Sequence, residues 1–333
     1  MTTDWESEAE PGFHTVSDFR FEDGHRLDVT LAYRTLGSLN ARADNAVMLL
    51  HGTTGSGRQF LQPSIADFLF ASGRPLDVTR FFLIMPDAIG HGRSSRPSEG
   101  LGPDFPHYDY GDMVEGQHRL LTEGLGIERL RLLLGTSMGG MQTWLWGQRY
   151  SGLQALMAVA SLPERITGRN LLWRRMLIRL IESDPGYAGG RYSKQPAGVG
   201  HAMALFRLMT GSARHMATEL RSVRDTDGQI DGIESQALEG EDANDVVWEF
   251  DASRDYDPAP GLPAIRAPLL AVNFEDDELN PGELGGLERA IAAVPHGRAM
   301  TLPAGPRTRG HQTLHVAEVW CDHLAELLAE TGG

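Results

Sequence analysis

Five short, almost uninterrupted apolar runs limit what this chain can fold into more than any other feature. They lie at 46–50, 81–85, 130–134, 155–160 and 269–273. Runs of this length suit strands buried on both faces of a parallel sheet. Helical patterns separate them at about 112–125, 138–150 and 283–294, and another at 315–329 closes the chain. Strand alternating with helix predicts an open, doubly wound α/β sheet with right-handed crossovers. Ahead of these runs, 13–21 and 26–33 flank Asp23-Gly24, and Leu27, Val29, Leu31 and Tyr33 alternate along the second. That pattern predicts an antiparallel pair.

One interval breaks the alternation. Between about 163 and 258 no buried strand is evident, while helical patterns occur near 170–181 and 202–209. The expectation is a sheet domain formed by 1–162 and 259–333, interrupted by a helical cap at 163–258. Charge is uneven across the cap, with 11 basic and 4 acidic residues over 164–224 but 1 and 12 over 225–258. Arg165, Arg169, Arg174, Arg175 and Arg179 could attract an anionic ligand. Pairing with the acidic stretch 225–257 is the plainer expectation.

A length of 333 residues carries a prior of about two structural units. The formal charge is −15 and Lys194 is the only lysine, which argues against nucleic acid, since phosphate contacts need clustered cations. One cysteine, Cys321, rules out an intrachain disulfide and a cysteine-based metal site. The acidic start MTTDWESEAE lacks the pattern of a signal peptide, and no apolar run reaches membrane-spanning length. A cytoplasmic protein without membrane attachment is the expectation, and no cluster of residues implies a metal or organic cofactor.

The chemistry concentrates at Gly135-Thr136-Ser137-Met138-Gly139, a G-x-S-x-G motif directly after an apolar run and before a helix. In that context the motif forms a strained elbow that lifts its serine clear of the sheet. A serine hydroxyl needs a base to take its proton and a third group to orient the base. The expected chain order is Ser, acid, His, with both partners at the ends of late strands. The run at 269–273 leads into Glu275-Asp276-Asp277, and Gly310-His311 precedes the last helical pattern. His311 is preferred to His315 and His323, which fall inside that pattern. An oxyanion hole would take one N–H from Met138 and another from the glycine-rich loop after the first run. In that loop Thr53 is the expected donor, and Thr54 beside it is a candidate substrate contact. The segment 87–95 reads as structural support for the site.

These residues resemble the α/β-hydrolase superfamily and, within it, the homoserine O-acetyltransferase branch. Met141-Gln142 after the elbow, Leu125-Gly126-Ile127, and Asp184-Pro185 followed by Gly189-Gly190-Arg191-Tyr192 carry the narrower likeness. Asp277-Glu278-Leu279-Asn280-Pro281 is similar to that branch's acid-bearing segment, which selects Asp277 over Asp276. The resemblance implies a serine that takes an acetyl group from acetyl-CoA and passes it to a hydroxyl, in a homodimer paired through the caps. Two departures stand out. The family's substrate-binding aspartate after the histidine is Gln312 here, and a neutral amide offers no charge-assisted bond to an ammonium. Counting forward from Asn170 places the family's carboxylate-binding arginine at Arg174, whereas counting back from Asp184 lands on Ile178.

Two enzymatic outcomes share this machinery. Water could resolve the acyl-enzyme, giving hydrolysis of a small ester or related acyl substrate. An alcohol acceptor could take the acyl group instead. A hydrolase fold kept only for binding is disfavoured by the complete set of catalytic residue types, and dehalogenase chemistry by serine at the elbow.

Overall fold

The structure, a computed structural model, describes residues 3–332. A short helix, α1 (Trp5–Glu8), leads into β1 (Glu10–Arg20) and β2 (Arg26–Leu36), the expected antiparallel pair. The chain then enters the alternating region through β3 (Ala46–Leu50), α2 (Pro63–Leu69), β4 (Phe82–Pro86), α3 (Tyr110–Arg119) and β5 (Leu132–Thr136). It continues through α4 (Met138–Arg149) and β6 (Leu156–Val159). The strands join in the order β1-β2-β4-β3-β5-β6, followed by β7 (Leu269–Phe274) and β8 (Gly297–Leu302), in one eight-stranded sheet. From β4 onward every pairing is parallel.

Every residue of β3, β5, β6 and β7 is buried, the outcome that continuous apolar runs dictate when helices cover both faces. On one face Trp320, Phe60 and Phe70 pack over β3 and β5, and on the other Trp144 and Trp146 fill the space beneath α4. Large apolar side chains of this kind each contribute about 1.5–3 kcal/mol when fully buried.

Between β6 and β7 the chain forms α5 (Gly168–Glu182), α6 (Gly198–Thr210), α7 (Ala213–Glu219), α8 (Val223–Gly240) and α9 (Ala243–Asp251), with no strand among the described residues. The sequence patterns expected two of these helices. α8 is almost wholly exposed, with Ala237 its one buried residue, so it lacks an apolar stripe. α9 is buried along nearly its whole length, so its apolar residues run together. Two of the five arginines follow the plainer expectation. Arg165 pairs with Asp257 at 3.0 Å, and Arg175 pairs with Asp251 at 2.9 Å.

Three further elements depart from expectation. β8 had no sequence counterpart, because it is an edge strand with half-buried, interrupted apolar character. The helix expected at 283–294 shrinks to α10 (Gly286–Ile291), since Gly285 at φ 61° separates it from a preceding single turn. The closing helix, α11 (Cys321–Glu330), begins six residues late, after 3₁₀ turns at Gln312–His315 and Ala317–Val319. His315 therefore lies in a turn, and its exclusion has to rest on its contacts.

Candidate active site

Parallel pairing brings the carboxyl ends of β3, β5 and β6 side by side, with Leu50 opposite Gly135 and Thr136 opposite Val159. Ligand sites of open α/β sheets form at this edge. Ser137 occupies the turn between β5 and α4 with φ 53° and ψ −115°. Residues with side chains seldom hold that backbone conformation unless their surroundings impose it. Glycines make the approach possible. A Cβ on Gly135 would lie 2.0 Å from the Gly139 carbonyl oxygen, and one on Gly139 would lie 2.0 Å from that of Leu50.

Ser137 Oγ stands 2.7 Å from His311 Nε2, and His311 Nδ1 stands 2.7 Å from Asp277 Oδ2. With a carboxylate facing Nδ1, the imidazole proton is assigned there and Nε2 is left to accept from the serine hydroxyl. Asp277 is 1% exposed and also accepts from the Leu279 N–H at 2.9 Å and Asn280 Nδ2 at 2.8 Å. Burial alone would push its carboxyl up. The neighbouring His311 and these hydrogen bonds outweigh burial and hold it below the usual carboxylate range.

Asp276 faces another way. Its Oδ2 accepts from Thr308 Oγ1 at 2.9 Å and from the Gly310 N–H at 3.1 Å, bracing the turn that presents His311. His315 lines a cavity together with Ser137 and His311, but its Nδ1 has no partner. Burial and the charge of His311 push its imidazole down to about 4. His323 lies on α11, where its partner is Glu326 at 3.4 Å.

The loop after β3 abuts Ser137, and a Cβ on Gly52 would lie 3.4 Å from Ser137 Cβ. Neither the Thr53 nor the Met138 backbone N–H donates to a protein acceptor among the described residues. Buried Gln59 fixes this loop, accepting from the Gly52 N–H at 3.0 Å and donating to Thr136 Oγ1 at 2.8 Å. Asp87 accepts from the Gly57 N–H at 2.8 Å and the Arg93 N–H at 2.9 Å, so the segment 87–95 braces the loops.

A cavity of 630 Å³ opens over Ser137 and His311, and Thr53, Thr54, Arg174 and Gln312 all line it. Arg174 on α5 is 5% exposed. Its Nε donates to Asn170 at 3.0 Å and its Nη1 to Ser253 at 3.2 Å, while no carboxylate pairs with it among the described residues. The first turn of α5 also grips the acid loop. Arg169 donates to the Glu278 carboxylate at 2.6 Å and to the Glu278 carbonyl at 2.9 Å, and Asn170 reaches the Leu279 carbonyl at 3.4 Å.

Sequence reasoning passed over Gln59, Asn280 and Glu249, the last a buried carboxyl of α9 that lines the cavity. Asn280 stood inside the segment quoted for Asp277. Glu249 falls within the acidic stretch 225–257, although Val246, Val247, Trp248 and Phe250 around it signal burial. Gln59 carried no signal of its own.

Residues 45–298 match the alpha/beta hydrolase fold family. The homoserine O-acetyltransferase of Chlorobaculum tepidum is 37% identical, covering 96% of this chain and 95% of that protein. The ethyl acetate hydrolase of Pseudomonas veronii is 31% identical over 79% of each chain. The solved acetyl esterase MekB superposes with a TM-score of 0.85 at 25% identity, covering 97% of this chain and 98% of that one. No helix is long and apolar enough to cross a membrane among the described residues. The chain belongs to the alpha/beta hydrolase fold family, in the branch of its acyltransferase and esterase enzymes that resembles homoserine O-acetyltransferases.

Proposed function

We propose that this enzyme transfers acyl groups through a covalent acyl-enzyme on Ser137, and that its principal reaction is hydrolysis of small esters. The observation that carries the proposal is the unbroken relay from Ser137 through His311 to Asp277, with both links at 2.7 Å. Ser137 Oγ attacks the ester carbonyl carbon as its proton passes to His311 Nε2. The Thr53 and Met138 N–H groups receive the oxyanion, and removing a single such donor typically costs about 10²–10³ in rate. Collapse of the intermediate breaks the ester C–O bond, and the alcohol leaves with the proton from His311. Water then adds to the acyl-enzyme, giving its proton to the same Nε2, and the acid departs as Ser137 regains it.

Support for water as acceptor comes from the cavity wall, where Arg58, Arg96, Glu241, Asp245 and Glu249 provide a polar surface beside the nucleophile. Gln312 supports the same preference, since its amide supplies no charge for an amino-acid acceptor's ammonium. Residues 163–258 act as a cap over a body built from 1–162 and 259–333. Arg174, buried without an acid partner, binds the polar end of the substrate from that cap. Transfer from acetyl-CoA to an alcohol is the second reading, favoured by the 37% identity to a homoserine O-acetyltransferase.

A serine-directed fluorophosphonate is expected to label the native protein stoichiometrically and Ser137→Ala not at all. Labelling of the variant would overturn the assignment. Short p-nitrophenyl esters are expected to turn over, whereas acetyl-CoA with homoserine yields no O-acetylhomoserine. Appearance of that product would put the transferase reading first.

A further inference from the structure

The carboxylates of the cavity wall are not equivalent. Asp242 is committed to Tyr192 at 2.6 Å and Gln195 at 2.7 Å, and Asp245 to the Ser98 hydroxyl at 2.6 Å and its N–H at 2.8 Å. Glu249 has no such partners. It is 5% exposed, it lines the cavity that holds Ser137 and His311, and its Oε2 has no hydrogen-bond partner. Its other oxygen faces His91 Nε2 at 3.7 Å, beyond hydrogen-bonding distance.

His91 cannot satisfy it. The His91 ring is 1% exposed, and its Nδ1 lies 3.0 Å from the Ile89 carbonyl, which fixes the proton on Nδ1 and leaves Nε2 bare. Burial pushes that imidazole down to about 3, so it stays neutral and offers Glu249 no donor. Burial, reinforced by Glu241 and Asp245, also pushes the Glu249 carboxyl well up, against Arg96 and the Thr54 N–H. A buried carboxyl without a partner costs free energy that a leucine of similar size would not. Groups of this kind call for a specific explanation.

The surroundings supply one. The Thr54 N–H faces the Glu249 carboxyl, and Thr54 follows Thr53, the proposed oxyanion donor. Thr54 holds φ 60°, a strained conformation for a β-branched residue, and the neighbouring Thr53 Oγ1 is buried without a partner. Two unsatisfied oxygens therefore belong to residues that line the cavity over Ser137 and His311.

We propose that Glu249 is a specificity residue whose free carboxyl oxygen accepts a hydrogen bond from a hydroxyl or amino group carried by the substrate close to the reacting carbonyl. The proposal rests on the acyl-enzyme reading of Ser137. It makes the preferred substrate a short ester bearing a donor a few atoms from its carbonyl, and plain alkyl esters poorer substrates.

Two matched sets of esters test it by kcat/KM. On the acyl side they are ethyl butanoate, ethyl 3-hydroxypropanoate and ethyl 3-aminopropanoate; on the alcohol side, propyl acetate and 2-hydroxyethyl acetate. In at least one set the native enzyme is expected to favour a donor-bearing ester over its alkyl match by about tenfold. Glu249→Leu should bring that ratio close to one. Glu249→Gln keeps an accepting oxygen, so it should preserve a preference for hydroxyl. A native ratio near one in both sets, or an unchanged ratio in Glu249→Leu, overturns the proposal. Fluorophosphonate labelling separates the two layers. Labelled protein without discrimination defeats the Glu249 proposal alone, and native protein that resists labelling defeats the acyl-enzyme reading with it.

Discussion

Asparagine at position 277 changes almost nothing in volume and much in proton placement. Asp277 accepts three hydrogen bonds, from His311 Nδ1, the Leu279 N–H and Asn280 Nδ2. An asparagine offers one accepting oxygen and one NH₂ group. If the amide oxygen stays toward the Leu279 N–H, the NH₂ faces His311 Nδ1 and Asn280 Nδ2, and the imidazole answers by carrying its proton on Nε2. That nitrogen then cannot take the proton of Ser137, 2.7 Å away. The opposite rotamer sets NH₂ against the Leu279 N–H in a buried site, a cost of about 1–3 kcal/mol. The expected fall in kcat on p-nitrophenyl acetate is about 10⁴-fold, the size seen when a triad loses its correct tautomer. At about 1.36 kcal/mol per decade, this corresponds to about 5 kcal/mol of lost transition-state stabilisation. Asp276→Asn is the control, because its remaining oxygen still accepts from Thr308 and Gly310. Its loss should not exceed about tenfold, the scale of one weakened hydrogen bond. Thermal melts run on both variants separate chemistry from folding. A larger loss at Asp276 than at Asp277, with both variants folded, would refute the assignment of the acid and the tautomer argument together.

Two further outcomes follow from the backbone and from burial. Gly135→Ala forces a Cβ against the Gly139 carbonyl group, backbone that cannot rotate away, so it should lower the melting temperature and abolish fluorophosphonate labelling; a labelled variant with an unchanged melt would contradict the packing. Asp112 accepts from the Glu22 N–H at 2.8 Å and the Asp109 N–H at 3.1 Å, and burial, with the charge of Asp109, raises its carboxyl to about 7. The folded protein therefore holds a proton there that the unfolded chain has lost between the ordinary carboxylate range and about pH 7. Stability should fall as pH rises through that window and level off above it. Asp112→Asn should flatten the fall, and equal slopes of melting temperature against pH would count against it.

What the sequence disclosed depended on whether a residue's environment leaves a local mark. Strands buried on both faces declare themselves as apolar runs, so β3, β5, β6 and β7 were legible, and so was the glycine pattern around Ser137. β8 pairs on one side only and shows no such run. Gly228 and Gly232 lie inside the exposed α8, where helix propensity and periodicity are both poor, so no helical pattern marks it. The order Ser, acid, His was readable because topology constrains it. Choosing between adjacent aspartates needed a resemblance, since a one-residue step decides whether a carboxylate meets His311 Nδ1 or the turn at Thr308. Glu249 was illegible as a cavity residue because its apolar sequence neighbours signal burial but not the cavity that the residue lines.

The grip of α5 on the acid loop links two properties that are usually tuned apart. Arg169 and Asn170 hold Glu278 and Leu279, the residues that directly follow Asp277. A ligand that wedges α5 outward must break these bonds or drag the loop along, and the second course tilts the carboxylate away from the imidazole. Room for bulk and readiness for proton transfer are thereby mechanically opposed. If the proposed relay operates, an opening of the cavity by movement of α5 disturbs the orientation of His311, so substrates that leave α5 in place are the ones that keep the relay in register.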